Sequence, residues 1–189
     1  MACGQDPGPQ AGDVVATETR IVSGDTVVSD AVQLNYLDLE LPERHYAVLR
    51  QELSLLDVNG FFGMETEALS TAATKAGVVA TGPYSALTYE WDTERGWADV
   101  AVALPVAKGT QLPPYVTITL PATKALALDM AGSYQALSVM HVALDQELKR
   151  RGLRPTLPAI EEYPVGPLQT SDENEFRTRI IYPYASPAQ

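Results

Sequence analysis

The chain has 189 residues, 46% of them hydrophobic and 20% charged, with 24 carboxylates against 13 Lys and Arg and a net charge of −11. That is enough globular chain to fold without a disulfide or structural metal, and no apolar run approaches the roughly 20 residues of a membrane-spanning helix. The acidic balance opposes a phosphate backbone, which argues against direct nucleic-acid binding.

Cys3 is the single cysteine, so no internal disulfide forms. It stands just ahead of a Pro/Gly-rich stretch ending at Gly12, as the acylated residue of a trimmed lipoprotein does. Cys3 is therefore a candidate lipid anchor, which would place the protein at a cell envelope; an ordinary N-terminal tail leaves the compartment open. Residues 13 to 33 read as an added hairpin, with Ser23-Gly24-Asp25 as its turn.

From residue 34 to 185 one unit is written twice, about 34–106 and 115–185, joined by a linker at 107–114. Leu39-Glu40-Leu41-Pro42 is answered by Ile118-Thr119-Leu120-Pro121. Ser54 and Ser133 each lie 12 residues beyond the proline and are placed to cap a helix. The first helix is expected over Leu55–Ala76, with Val58, Phe62, Leu69 and Ala73 on its apolar face and Gly77 at its end. The second carries Tyr134, Leu137, His141, Leu144 and Leu148 on one face, a basic last turn at Lys149–Arg151, and Gly152 as terminator. Strands follow each helix: Ser85–Trp91 answers Ala159–Tyr163, and Trp97–Val106 answers Glu175–Tyr184. The fold class is α+β: duplicated strand-helix-strand-strand units fused into one curved antiparallel sheet, two helices on it, and a central cleft between the halves.

The segment Leu120-Pro121, Gly132-Ser133-Tyr134, Gly152, Glu161-Glu162-Tyr163 and Tyr182-Pro183-Tyr184 resembles the GyrI-like small-molecule-binding domain, in a free-standing member. The same domain forms the effector-binding half of several multidrug-responsive and AraC-type regulators. The resemblance spans about residues 34–185. It implies that Glu161 takes the place of the family's Glu-x-Tyr glutamate, whose carboxylate meets lipophilic cations in an aromatic cleft. Gly132-Ser133-Tyr134 stands where the family often has Gly-Pro-Tyr, keeping the aromatic but changing the loop.

On the residues themselves, Glu161 and Tyr163 lie two apart on a strand and share a face, as do Leu87, Tyr89 and Trp91 in the first half. If the halves face each other, these meet in a cleft, with Tyr134 closing one side and Phe62 offered from the first helix. A carboxylate among ring faces favours flat organic cations. The expected ligand-binding set is thus Glu161, Tyr163, Tyr89, Trp91, Leu87, Tyr134 and Phe62, with no cofactor and no metal. His45 and His141 read as packing or surface residues, and no nucleophile, phosphate-loop or zinc motif is present. The leading expectation is non-catalytic binding of a hydrophobic, aromatic or cationic small molecule. A hydrolase using Glu161 as base towards an electrophilic substrate, and an acidic protein-interaction or inhibitor module, are the alternatives.

Overall fold

The computed structural model describes residues 19–28 and 33–185. Their elements run β1 (Arg20–Val28), β2 (Gln33–Leu41), β3 (Arg44–Ser54), α1 (Val58–Ala76), β4 (Ser85–Asp92), β5 (Trp97–Val106), β6 (Val116–Leu120), β7 (Thr123–Ala131), α2 (Leu137–Arg150), β8 (Arg154–Pro155), β9 (Ala159–Val165) and β10 (Arg177–Ala185). All pairings are antiparallel, in the order β1-β2-β7-β10-β9-β4-β5-β3-β6, with β8 added alongside β10. The two units, β3-α1-β4-β5 and β7-α2-β9-β10, meet where β4 pairs β9.

The connections force this sheet to curl. β2 lies second in the order and β3 eighth, yet only Pro42 and Glu43 separate them in the chain. β6 lies ninth and β7 third, with only Pro121 and Ala122 between. Such a link spans at most about 11 Å, so the two sides of the sheet must approach each other. Each unit's leading strand thus pads the other unit: β2 pairs β7 and β6 pairs β3. The duplicated Leu-Pro signatures are the ends of these exchanged strands.

The inner face of the curl forms one core from Leu39, Leu41, Tyr46, Val48, Leu87, Ile160 and Ile181. Ala101, Ala103, Ala125 and Ala127 face the same interior, where only small side chains leave room for opposing strands. Both helices pack on the outer face. Leu69 and Ala73 of α1 cover Ala47, Val102 and Leu104. Leu144 and Leu148 of α2 cover Leu126, Leu128 and Ile180. Gly77, at φ 65, ends α1 as expected, and its N–H returns to Ala73 and Thr74 carbonyls. No helix among the described residues is long and apolar enough to cross a membrane.

Three local expectations change. Ser23-Gly24-Asp25 is not a turn: it lies inside β1, with Gly24 opposite Leu37 and Ser23 Oγ donating to Asp38. β1 and β2 stay paired past it, as far as Val28 opposite Gln33. Ser54 accepts from Leu56 N rather than capping α1, which begins only at Val58. Ser133 does accept from Gln135 N, but it caps a 3-10 turn (Tyr134–Ala136) that leads into α2. Cys3 lies outside the described residues.

The basic end of α2 does more than complement the helix dipole. Arg150 and Arg151 both donate to the buried Glu147, and Arg151 reaches Asp38 on β2 at 3.0 Å. Hydrogen bonds from Arg150, outweighing burial, hold Glu147 down at about 2. A depressed carboxyl stabilises the fold above its unfolded pKa, and that contribution disappears as pH falls towards 2. Glu147→Gln should accordingly flatten the decline of stability between about pH 5 and pH 2, read by urea denaturation across that range.

Leu87 is fully buried on the inner face, whereas Trp91 is 52% exposed. Leu87→Ala should cost roughly 2–5 kcal/mol in chemical denaturation. Trp91→Ala should stay within about 0.5 kcal/mol; equal effects would contradict this placement.

Candidate functional site

β9 and β4 are the adjoining middle strands between the two helices, and their register decides which side chains meet. Glu161 stands opposite Ala86 on β4 and Ile180 on β10. Ile180 lies beneath α2, so Glu161 faces the helix-bearing side, and Tyr163, two residues on, shares it. Neighbouring Ile160 and Glu162 face the inner side, where Arg44 Nη1 pairs Glu162 at 2.7 Å.

Around the Glu161 carboxylate the second unit supplies a ring of donors and aromatic faces. Tyr163 Oη donates to Oε2 at 2.6 Å. His141 Nε2, from α2, lies 2.9 Å from Oε1, and its Nδ1 lies 3.1 Å from Tyr182 Oη. A carboxylate only accepts, so Nε2 carries the proton; in the neutral ring Nδ1 then accepts from Tyr182. Tyr134 packs edge-on to Tyr163 with centroids 5.5 Å apart and stacks on Phe176 at 4.8 Å. Tyr182 is edge-on to His141. Gly166 admits the Tyr134 hydroxyl, since a Cβ there would lie 2.9 Å from it.

The Glu161 side chain is only 14% exposed, yet among the described residues no guanidinium or ammonium group pairs with it. Burial, and then the Glu161 charge, push Tyr134 up to about 12. Burial, followed by Asp145 and Glu161, does the same to Tyr182. Burial raises Tyr163 well above the ordinary phenol value, reinforced by its contact with Glu161. These phenols therefore stay protonated at neutral pH.

The structure brings Glu161, Tyr163 and Tyr134 together. It does not bring Leu87, Tyr89, Trp91 or Phe62 to them. Leu87 pairs Ile160 and fills the inner core. Tyr89 is the extra residue of a bulge between Thr88 and Glu90, and it lies under the Arg50 guanidinium at 3.6 Å. Beyond the bulge Trp91 stands opposite Ala98, half exposed. Phe62 packs beneath α1, edge-on to Phe61. Matching Tyr89 to Tyr163 by sequence spacing offsets the two strands by one residue, and one residue of offset exchanges the faces. Ala86 and Thr88 are what β4 presents on the Glu161 side.

His141, Tyr182 and Phe176 join the cluster without having been expected. His141 was visible on the inward stripe of its helix, but its partner on β9 was not. Two cavities among the described residues lie away from this cluster. A shallow groove of about 540 Å³ follows Met64, Ala68 and Lys75 on α1, and a pocket of about 290 Å³ opens beside Arg44, Pro121 and Pro158.

No model of a protein family and no curated protein matches the sequence. Solved structures do. The crystal structure of the EcmrR C-terminal domain superposes with TM-score 0.66 and 19% identity, over 82% of this chain and 99% of that one. The chain has a GyrI-like fold. EcmrR in its complex with DNA gives TM-score 0.71 at 19% identity, and there this chain spans only 58% of the EcmrR chain. SAV2435 bound to tetraphenylphosphonium gives 0.63 at 14% identity, over 80% of this chain and 94% of that one.

Because the Glu161 charge contributes to holding the phenols protonated, Glu161→Gln should lower the ionisation ranges of Tyr134 and Tyr163, with burial sustaining the remainder. Tyrosine Cζ shifts followed by NMR from pH 9 to 12.5 would show this. Unmoved titrations would contradict the geometry.

Proposed function

We propose that this GyrI-like domain binds an organic cation with aromatic or other apolar substituents, held at Glu161 in the second unit. One observation carries the reading: a carboxylate 14% exposed, un-neutralised by any Lys or Arg among the described residues and surrounded by Tyr134, Tyr163, Tyr182 and His141. The neighbouring Glu162, one residue away on the inner side, already has its cation in Arg44. The fold supplies charge compensation for one of the two and leaves the other for a ligand.

The energetics agree with that assignment. A partly desolvated charge attracts a counter-ion more strongly than one in water, and ring faces add roughly 0.5–2 kcal/mol per cation contact. The fold shared with SAV2435, whose structure holds tetraphenylphosphonium, supports the choice of ligand chemistry. Tyr163 donates to the carboxylate and Tyr134 packs against Tyr163, so on this reading the cation enters by displacing Tyr134 from its stack on Phe176. Ala86 on β4 leaves the opposite wall small.

Tetraphenylphosphonium, titrated calorimetrically, should bind the wild type. Glu161→Gln should weaken it about tenfold or more, roughly 1.4 kcal/mol, with the circular dichroism of the fold unchanged. Equal affinity in the two proteins would remove Glu161 from the site.

A further inference from the structure

Glu161 has one neighbour that can itself become a cation, the imidazole of His141. On the reading of Glu161 as a cation-binding carboxylate, we propose that His141 is a proton-controlled rival of the ligand, so that the site exchanges an organic cation for a proton. His141 Nε2 lies 2.9 Å from Glu161 Oε1, closer than any bulky organic cation brings its charge centre. A protonated imidazole there neutralises the carboxylate from inside. The ligand then loses its counter-ion and meets a like charge instead.

The cluster is built to hold both charge states. In the neutral ring Nδ1 accepts from the Tyr182 hydroxyl, 3.1 Å away. In the protonated ring Nδ1 donates, and the same hydroxyl rotates to accept. Nε2 donates to Glu161 in either state, so no hydrogen bond is sacrificed when the proton arrives or leaves. The titratable groups around the imidazole are Glu161 and Tyr163 from β9, Tyr182 from β10, Tyr134 from the 3-10 turn and Asp145 one turn along α2. The tyrosines are held protonated at neutral pH, and Asp145 is paired with Lys149. His141 is therefore the member of this group that can pass between a neutral and a cationic form by taking up one proton while keeping its partners. The chain's other histidine, His45, lies on β3 against Thr119 and Glu43, away from the cluster.

Proton and cation binding are then reciprocally coupled: acid releases the cation, and the cation expels the proton. His141→Gln separates the two roles. Its amide can donate to Glu161 and accept from Tyr182 as the neutral ring does, but it gains no charge. Calorimetry with tetraphenylphosphonium at pH 7.5 and 5.5 should show about a tenfold weaker Kd for the wild type at the lower pH. The dependence should be nearly lost in His141→Gln: whatever its absolute affinity, the ratio of its Kd at pH 5.5 to that at pH 7.5 should fall close to one. Titrations of the wild type in two buffers of different ionisation enthalpy, at pH values from 5.5 to 7.5, should show proton release on binding, a readout that needs no variant. Binding that is equal at both pH values, or releases no proton, would overturn the exchange while leaving Glu161 as the site. The same holds if His141→Gln folds and keeps the full pH dependence. An absence of binding at either pH would overturn the Glu161 reading, and the exchange with it.

Discussion

Two short links impose the shape of this molecule. β2 and β3 are joined through Pro42-Glu43, and β6 and β7 through Pro121-Ala122, yet each pair is separated by five intervening strands in the sheet. The chain closes that separation by curling the sheet, and curling creates an inside. The alanines of β5 and β7 and the ring of Tyr46 line that inside, where small side chains let the opposing strands approach. Exchange of the leading strands also makes the two units interdependent. Neither unit keeps its padded outer strand without the other.

The β4–β9 pairing then distributes chemistry between the two faces. Alternation sends Ile160 and Glu162 inward and Glu161 outward, and the same rule sends Leu87 inward and Ala86 outward. Arg44, brought from the far side of the curl, meets Glu162 and neutralises it. The outward carboxylate meets phenols and an imidazole. Two adjacent glutamates thereby acquire opposite electrostatic situations from a single backbone geometry.

The outward cluster is a set of donors directed at one acceptor. Tyr163 and His141 each engage one oxygen of Glu161, and Tyr182 engages the far side of the imidazole. Burial keeps the phenols protonated, so they donate to the carboxylate and its imidazole neighbour without adding charge of their own. On the proposed reading, recognition and its control by acid would use the same few atoms, so that ligand and proton compete rather than act independently. The duplicated fold is used asymmetrically: the second unit supplies the polar groups and rings, and the first unit supplies the small wall at Ala86 and Thr88.

The sequence by itself determined the elements and their duplication, because these rest on local chemistry. Hydrophobic spacing placed α1 and α2, Gly77 and Gly152 adopt the left-handed backbone at their ends, and alternation marked β5 to its terminal residues. Glu161 and Tyr163 were legible as a pair on one strand, and Tyr134 as their neighbour, through a resemblance carried by short motifs. The partners across strands were not legible. Which β4 residue faces Glu161 depends on a register set by the whole curled sheet and on the bulge at Tyr89, and one residue's difference moves every side chain to the other face. His141 reached its role the same way, because only the packing of α2 over β9 and β10 sets an imidazole on one turn of a helix against a carboxylate 20 residues later.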